Sequence, residues 1–157
     1  MKRFLALISA LLFLSPVFCS AQGRQPSDSL DSDIIDSWEY QLLINARGND
    51  VTGLCLMNVL QDSTIVGTIV NEFGAKIFDF TYSKGKTKIM NVIGPINKWY
   101  IRRVLKKDFS FILPNLRQSH DVIEKKRKLT VQPNGDVSVS NDKYKIYYVF
   151  TKMQEEL

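Results

Sequence analysis

His120 is the single histidine of the chain, and Ser119 and Asp121 flank it. Serine, histidine and aspartate together can make a nucleophilic triad. A triad, however, is assembled from distant positions held on rigid elements, and three consecutive residues do not meet in that geometry. His120 is therefore read as a surface loop residue. A zinc centre needs three or four His, Cys or acidic ligands on one frame. Beyond residue 21 the chain offers only His120 and Cys55, far apart, as nitrogen and sulfur ligands. Asp28, Asp31, Asp33 and Asp36 resemble an acidic calcium loop, but the glycine that makes the sharp turn of such a loop is missing. No glycine-rich loop precedes a helix, so nucleotide phosphates lack their cradle. Glu39, Glu72 and Asp79 stand singly in segments of strand character, where lone acids ordinarily face solvent. Cys55 sits in the apolar run Leu54-Cys55-Leu56-Met57, with no cation or histidine near it in sequence to lower its pKa. That context fits a buried core residue rather than a reactive thiol. The expectation is a protein that is not an enzyme, with no metal and no cofactor.

The stronger binding signal is cationic. Lys98, Arg102, Arg103, Lys106 and Lys107 fall on one side of a helical segment, with Trp99 and Tyr100 at its start. Such a face could contact anionic lipid or an acidic partner, and the favoured, ordinary reading is a solvated outer surface. The aromatic pair suits a ligand mouth or a corner of the core. The formal net charge of +5 falls to +3 without Lys2 and Arg3 of residues 1–21, a mild basicity that says little about nucleic acid, and none is expected as a partner.

The N-terminus bears on the compartment. Lys2 and Arg3 form a basic region, Phe4 to Phe13 is apolar apart from Ser9, and Cys19-Ser20-Ala21 puts small residues before a cleavage point at Gln22. These are the three parts of a secretory signal. The apolar run falls short of the ~20 residues that span a bilayer. Acylation at Cys19 is the less favoured alternative, because Val17 and Phe18 stand where a lipoprotein signal carries small residues. The expectation is a periplasmic protein exported by a cleaved signal peptide over residues 1–21. Cys55 is then the remaining cysteine, and no internal disulfide forms.

Residues 22–37 are polar and read as a linker running into a short helix with Leu30, Ile34 and Trp38 on one side. From Trp38 the period is two, through Tyr40, Leu42, Ile44 and Ala46, and Arg47-Gly48-Asn49-Asp50 turns the chain. Val51 to Leu60 is apolar on both faces. Thr64 to Val70, Ala75 to Tyr82 and Thr87 to Ile93 follow with turn signals between them, which predicts a five-stranded antiparallel meander. The period then becomes 3.6. Asn97 can cap a helix with Ile101, Val104, Leu105, Phe109 and Ile112 on its apolar face, ended by Pro114. Residues 115–126 have no clean period and read as a mobile connection. Lys128 to Gln132 and Val137 to Ser140 flank the hairpin signal Pro133-Asn134-Gly135-Asp136, and Tyr144 to Thr151 is the last strand. The fold expected for residues 38–157 is one mostly β (α+β) domain, an antiparallel curved sheet or half-barrel of about eight strands with one amphipathic helix across it. Central strands that are apolar on both faces must be covered, or must curl around something. What the helix leaves uncovered is either side-chain core or an apolar cavity.

That order of elements, with the runs Asn71-Glu72-Phe73-Gly74, Phe78-Asp79-Phe80 and Asn97-Lys98-Trp99-Tyr100-Ile101-Arg102-Arg103, resembles the LolA/LolB-type lipoprotein-carrier fold over about residues 38–150. The resemblance implies an open half-barrel whose helices form a lid over an apolar cavity, binding lipid acyl chains or lipoproteins without catalysis. Tyr40, Leu42, Leu54, Leu56, Ile69, Phe78, Phe80 and Tyr148 are the candidate lining residues, with the inward face of each strand left open. In the receptor of that family, the loop between the third and fourth meander strands projects an apolar side chain toward the membrane. Phe73 holds the matching place, which implies contact with an anionic membrane surface; the ordinary alternative is an aromatic folded back onto the sheet edge. The chain lacks the receptor's acylation site and in that respect resembles the soluble carrier. The alternative function is a cell-envelope protein-interaction domain with a filled core.

Overall fold

The structure, a computed structural model, describes residues 33–153. The expected signal peptide (1–21) and most of the expected polar linker lie outside the described residues. Nine strands form one sheet: β1 (Ile34–Ala46), β2 (Asn49–Leu60), β3 (Ile65–Asn71), β4 (Lys76–Ser83), β5 (Lys86–Met90), β6 (Val122–Glu124), β7 (Arg127–Val131), β8 (Val137–Asn141) and β9 (Ile146–Lys152). Among the described residues a single α-helix, α1 (Trp99–Asn115), lies between β5 and β6 in the chain. Among the described residues no helix is long and apolar enough to cross a membrane.

β1 is the hub of the sheet. Its alternation of buried Tyr40 and Leu42 with exposed Glu39 and Gln41 gives it one core face, as a period of two demands. It pairs antiparallel with β2 on one side and β9 on the other, so the order is β5-β4-β3-β2-β1-β9-β8-β7-β6. Register carries the core face outward strand by strand. Tyr40 stands opposite Cys55, Cys55 opposite Ile69, Ile69 opposite Phe78, and Phe80 opposite Ile89. The sheet does not close into a barrel. Instead α1 packs against β5 and β7, near the two ends of the sheet order, and covers the concave side. The expected mostly β fold with one crossing helix is therefore present.

Local chemistry explains most boundaries. Gly135, at φ 87°, makes the expected 133–136 turn, in which Gln132 N–H donates to the Asp136 carbonyl. Gly67 serves a different purpose. A Cβ there would lie 2.5 Å from Phe80 Cζ and 2.6 Å from the Leu56 carbonyl oxygen, so only glycine lets the Phe80 ring lie across β3.

Four expectations are corrected. The segment from Ile34 to Trp38 is strand, not helix, because it pairs with β2 through partners such as Trp38 and Met57. The connection after α1 contains the ninth strand, β6, too short to show a period but paired with β7 from Val122 to Glu124. Asn97 does not cap α1. The Gly94–Ile96 segment forms a 3-10 turn that takes the Asn97 N–H onto the Gly94 carbonyl, leaving Lys98 at the cap position. Pro114 does not end α1 but falls inside its last turn, where its missing N–H leaves the carbonyl four residues earlier without an intrahelical donor.

Candidate functional site

Six of the eight expected lining residues converge on the concave face. Tyr40, Leu42, Ile69, Phe78, Phe80 and Tyr148 are all buried there. Leu54 and Leu56 are not with them. Gly53, Cys55 and Met57 are the buried residues of β2, so the two leucines point to the opposite face and are only half-buried. The sequence of β2 is apolar on both faces, and only its pairing with β1 resolves which residues turn inward.

The concave face is occupied. Leu105, Phe109, Ile112 and Leu113 of α1 are buried against it. The Phe109 ring sits 5.2 Å from Phe80, 5.5 Å from Phe78 and 6.2 Å from Tyr148, centroid to centroid, in tilted and edge-on arrangements. Such packing adds to burial through favourable ring quadrupole geometry. Ile101 and Val104, also expected on this face, are partly covered. Burial pushes the Cys55 thiol up to about 12, so it stays protonated and inert at neutral pH.

One charged residue accompanies the apolar ones into this contact. Asp108 is 0% exposed. Its Oδ1 accepts hydrogen bonds from Arg127 Nε and Asn141 Nδ2, each at 2.7 Å, and its Oδ2 accepts one from the Tyr148 hydroxyl at 2.8 Å. These bonds tie α1 to β7, β8 and β9 at once. Burial, reinforced by the Asp108 charge, raises the Tyr148 phenol well above its ordinary value, which keeps it a donor. Where α1 meets β5, Thr87 N–H donates to Ser110 Oγ at 2.9 Å, while the buried Thr87 hydroxyl finds no partner among the described residues.

Outside α1 lies a basic cleft of about 680 Å³. Arg103, Lys106 and Lys107 line it from the helix, Lys86 from β5, Lys125 and Lys126 from the β6–β7 turn, and Arg127 from the start of β7. Lys143 and Tyr144 close it from the β8–β9 connection, with Lys143 Nζ 5.4 Å from the Tyr144 ring centroid. Glu124 is the one carboxylate in its lining. A second cleft of about 430 Å³ shares Arg103, Lys107, Lys143 and Tyr144 and adds Arg47, Val104, Trp99 and Tyr100. Sequence reading found the helical half of this surface. It missed Lys125, Lys126, Lys143 and Tyr144, which come from short turns far away in the chain. Asp108 was missed too, although an acid set between Leu105 and Phe109 on an apolar stripe is a legible signal.

Phe73 stands 92% exposed at the tip of the β3–β4 turn. Asn71 Oδ1 accepts the N–H groups of Phe73 and Ala75, and Gly74 at φ 76° completes the turn, so the ring is not folded back onto the sheet. His120 is exposed, and Asp121 beside it accepts the Val131 N–H and faces Lys128 at 3.7 Å. Among the other acids, Asp36 accepts from Trp38 Nε1 and Arg117, Glu72 from Thr52, and Asp79 from Lys76 and Asn91. Among the described residues no three His, Cys or acidic side chains come close enough to hold a metal ion. Comparison of the chain with known protein families and with curated proteins finds no match.

Proposed function

We propose that this chain is an exported, non-enzymatic carrier or receptor of the LolA/LolB type, which takes lipid or lipoprotein acyl chains into its half-barrel beneath α1. One observation carries the reading: a continuous apolar concave face is covered by a single helix. Displacing that one element uncovers Tyr40, Leu42, Ile69, Phe78, Phe80 and Tyr148 together. The present arrangement is then the closed, unloaded form, with Phe109 in the place of ligand. An acyl chain entering it gains roughly 0.8 kcal/mol for each methylene taken from water. The buried Thr87 hydroxyl at the α1–β5 seam supports a helix that can lift, since opening restores its solvation. Phe73, presented to solvent at a turn tip, supports contact with a membrane surface.

The test is saturable uptake of a fluorescent fatty-acyl probe by the purified protein. Substituting Phe80→Gln weakens uptake, because a polar amide inside an apolar site is left without a partner. Absence of saturable uptake would remove the carrier reading. The second reading, an interaction domain with a permanently filled core, is favoured by the close packing of Phe109 against three rings. It predicts that no probe enters.

A further inference from the structure

The register of the sheet gathers several connections at one end of the molecule. Pairing of β1 with β2 and β9, β2 with β3, and β7 with β8 places the β1–β2, β3–β4, β6–β7 and β8–β9 turns there, with the segment that leaves β5 and begins α1. That end carries exposed Phe73, Ile93, Trp99 and Tyr100. Trp99 is 74% exposed, its ring 6.1 Å from that of Tyr100. The two basic clefts open beside this aromatic pair and share Arg103, Lys107, Lys143 and Tyr144, so they are continuous.

Two features set this surface apart from an ordinary solvated helix face. Arg127 is held by buried Asp108, and the remaining cations converge on a concavity from four separate elements, against the single lining carboxylate Glu124. Glu124 itself faces Lys125 at 3.8 Å, so it neutralises little of the rest. The cationic part also runs directly into the exposed aromatic part, which is the pairing that a membrane–water interface favours. An indole and a phenol beside cations match the headgroup level of a bilayer, where aromatic rings and basic side chains gather together.

We propose that the joined clefts are a headgroup site for an anionic, phosphate-bearing lipid in a membrane surface. Arg103, Lys107 and Lys143 hold the phosphate, and Trp99 and Tyr100 rest in the interface beside it. Guanidinium and ammonium donors make charge-assisted hydrogen bonds to phosphate oxygens, and arginine can do so with two bonds at once. The site is open in the closed arrangement of α1, so it stands apart from the carrier reading and does not require acyl chains to enter the half-barrel.

Co-sedimentation of the purified protein with vesicles tests this, comparing phosphatidylcholine alone with phosphatidylcholine containing phosphatidylglycerol. Binding is expected to the anionic vesicles only, and to weaken as salt shortens the Debye length. Arg103→Gln combined with Lys107→Gln is expected to weaken it roughly thirtyfold, following about 1 kcal/mol for each cation near an anionic surface. Lys88→Gln combined with Lys152→Gln removes the same charge from exposed positions outside the clefts and is expected to change binding less than about threefold. Trp99→Ala is expected to weaken vesicle binding without altering the far-ultraviolet circular dichroism. Equal losses from the two double substitutions would reduce the effect to net charge and overturn the site. So would equal binding to both vesicle types, binding of inorganic phosphate with no binding to anionic vesicles, or binding of poly-glutamate in preference to vesicles. Acyl-probe uptake by the same variants reads the interior separately, so failure of one proposal does not disguise failure of the other.

Discussion

Asp108 brings a negative charge into the core on a helix whose other buried residues are apolar. Arg127 remains 15% exposed at its side chain, whereas Asp108 is almost wholly enclosed, so the pair is largely desolvated. Removing one member of such a pair leaves the other charge stranded and costs about 3–5 kcal/mol. Asp108→Ala is therefore expected to lower stability by that amount in urea denaturation. Tyr148→Phe removes one hydrogen bond to a charged acceptor and is expected to cost about 1.5–3 kcal/mol. At the seam with β5, Thr87→Val deletes the unpartnered hydroxyl while keeping nearly the same shape. It is expected to raise stability by about 1–3 kcal/mol and, if α1 lifts to admit ligand, to slow uptake of an acyl probe. A decrease in stability would mean that the hydroxyl is solvated.

At the scale of elements, α1 divides into a buried side and a cationic side. Leu105→Ala is expected to cost about 2–5 kcal/mol, and Lys106→Ala less than about 0.5 kcal/mol. Equal losses at both positions would contradict the placement of the helix. Gly67→Ala is expected to destabilise by roughly 1–3 kcal/mol, since a methyl group there meets both the Phe80 ring and the immovable Leu56 carbonyl. Much of this layout is legible in the sequence: Tyr40 and Leu42 alternate with polar neighbours, and Leu105, Phe109 and Ile112 recur at helical spacing. The inward face of β2 is not legible, because Leu54, Cys55, Leu56 and Met57 are apolar without alternation. Pairing alone turns Cys55 inward and the leucines outward. β6 is equally silent, since three residues carry no measurable period. The basic cleft has a similar origin. It exists only after the sheet brings Lys125, Lys126 and Lys143 across from α1, and no local pattern encodes that meeting.

At the scale of the whole molecule, a curved sheet left open on one side is completed by a helix rather than by more strands. This distinguishes α1 from an ordinary core helix, because among the described residues it is the helix that separates the concave apolar face from water along that side. Amide hydrogen exchange, measured with and without a saturating fatty-acyl ligand, tests the resulting account most directly. If α1 is a lid, ligand should change protection along Trp99–Asn115 and at the β5 and β7 segments that contact it. The central pairing of β1 with β2 should stay protected throughout. Unchanged protection of α1 at saturating ligand, or a change confined to the outer turns, would contradict entry beneath the helix.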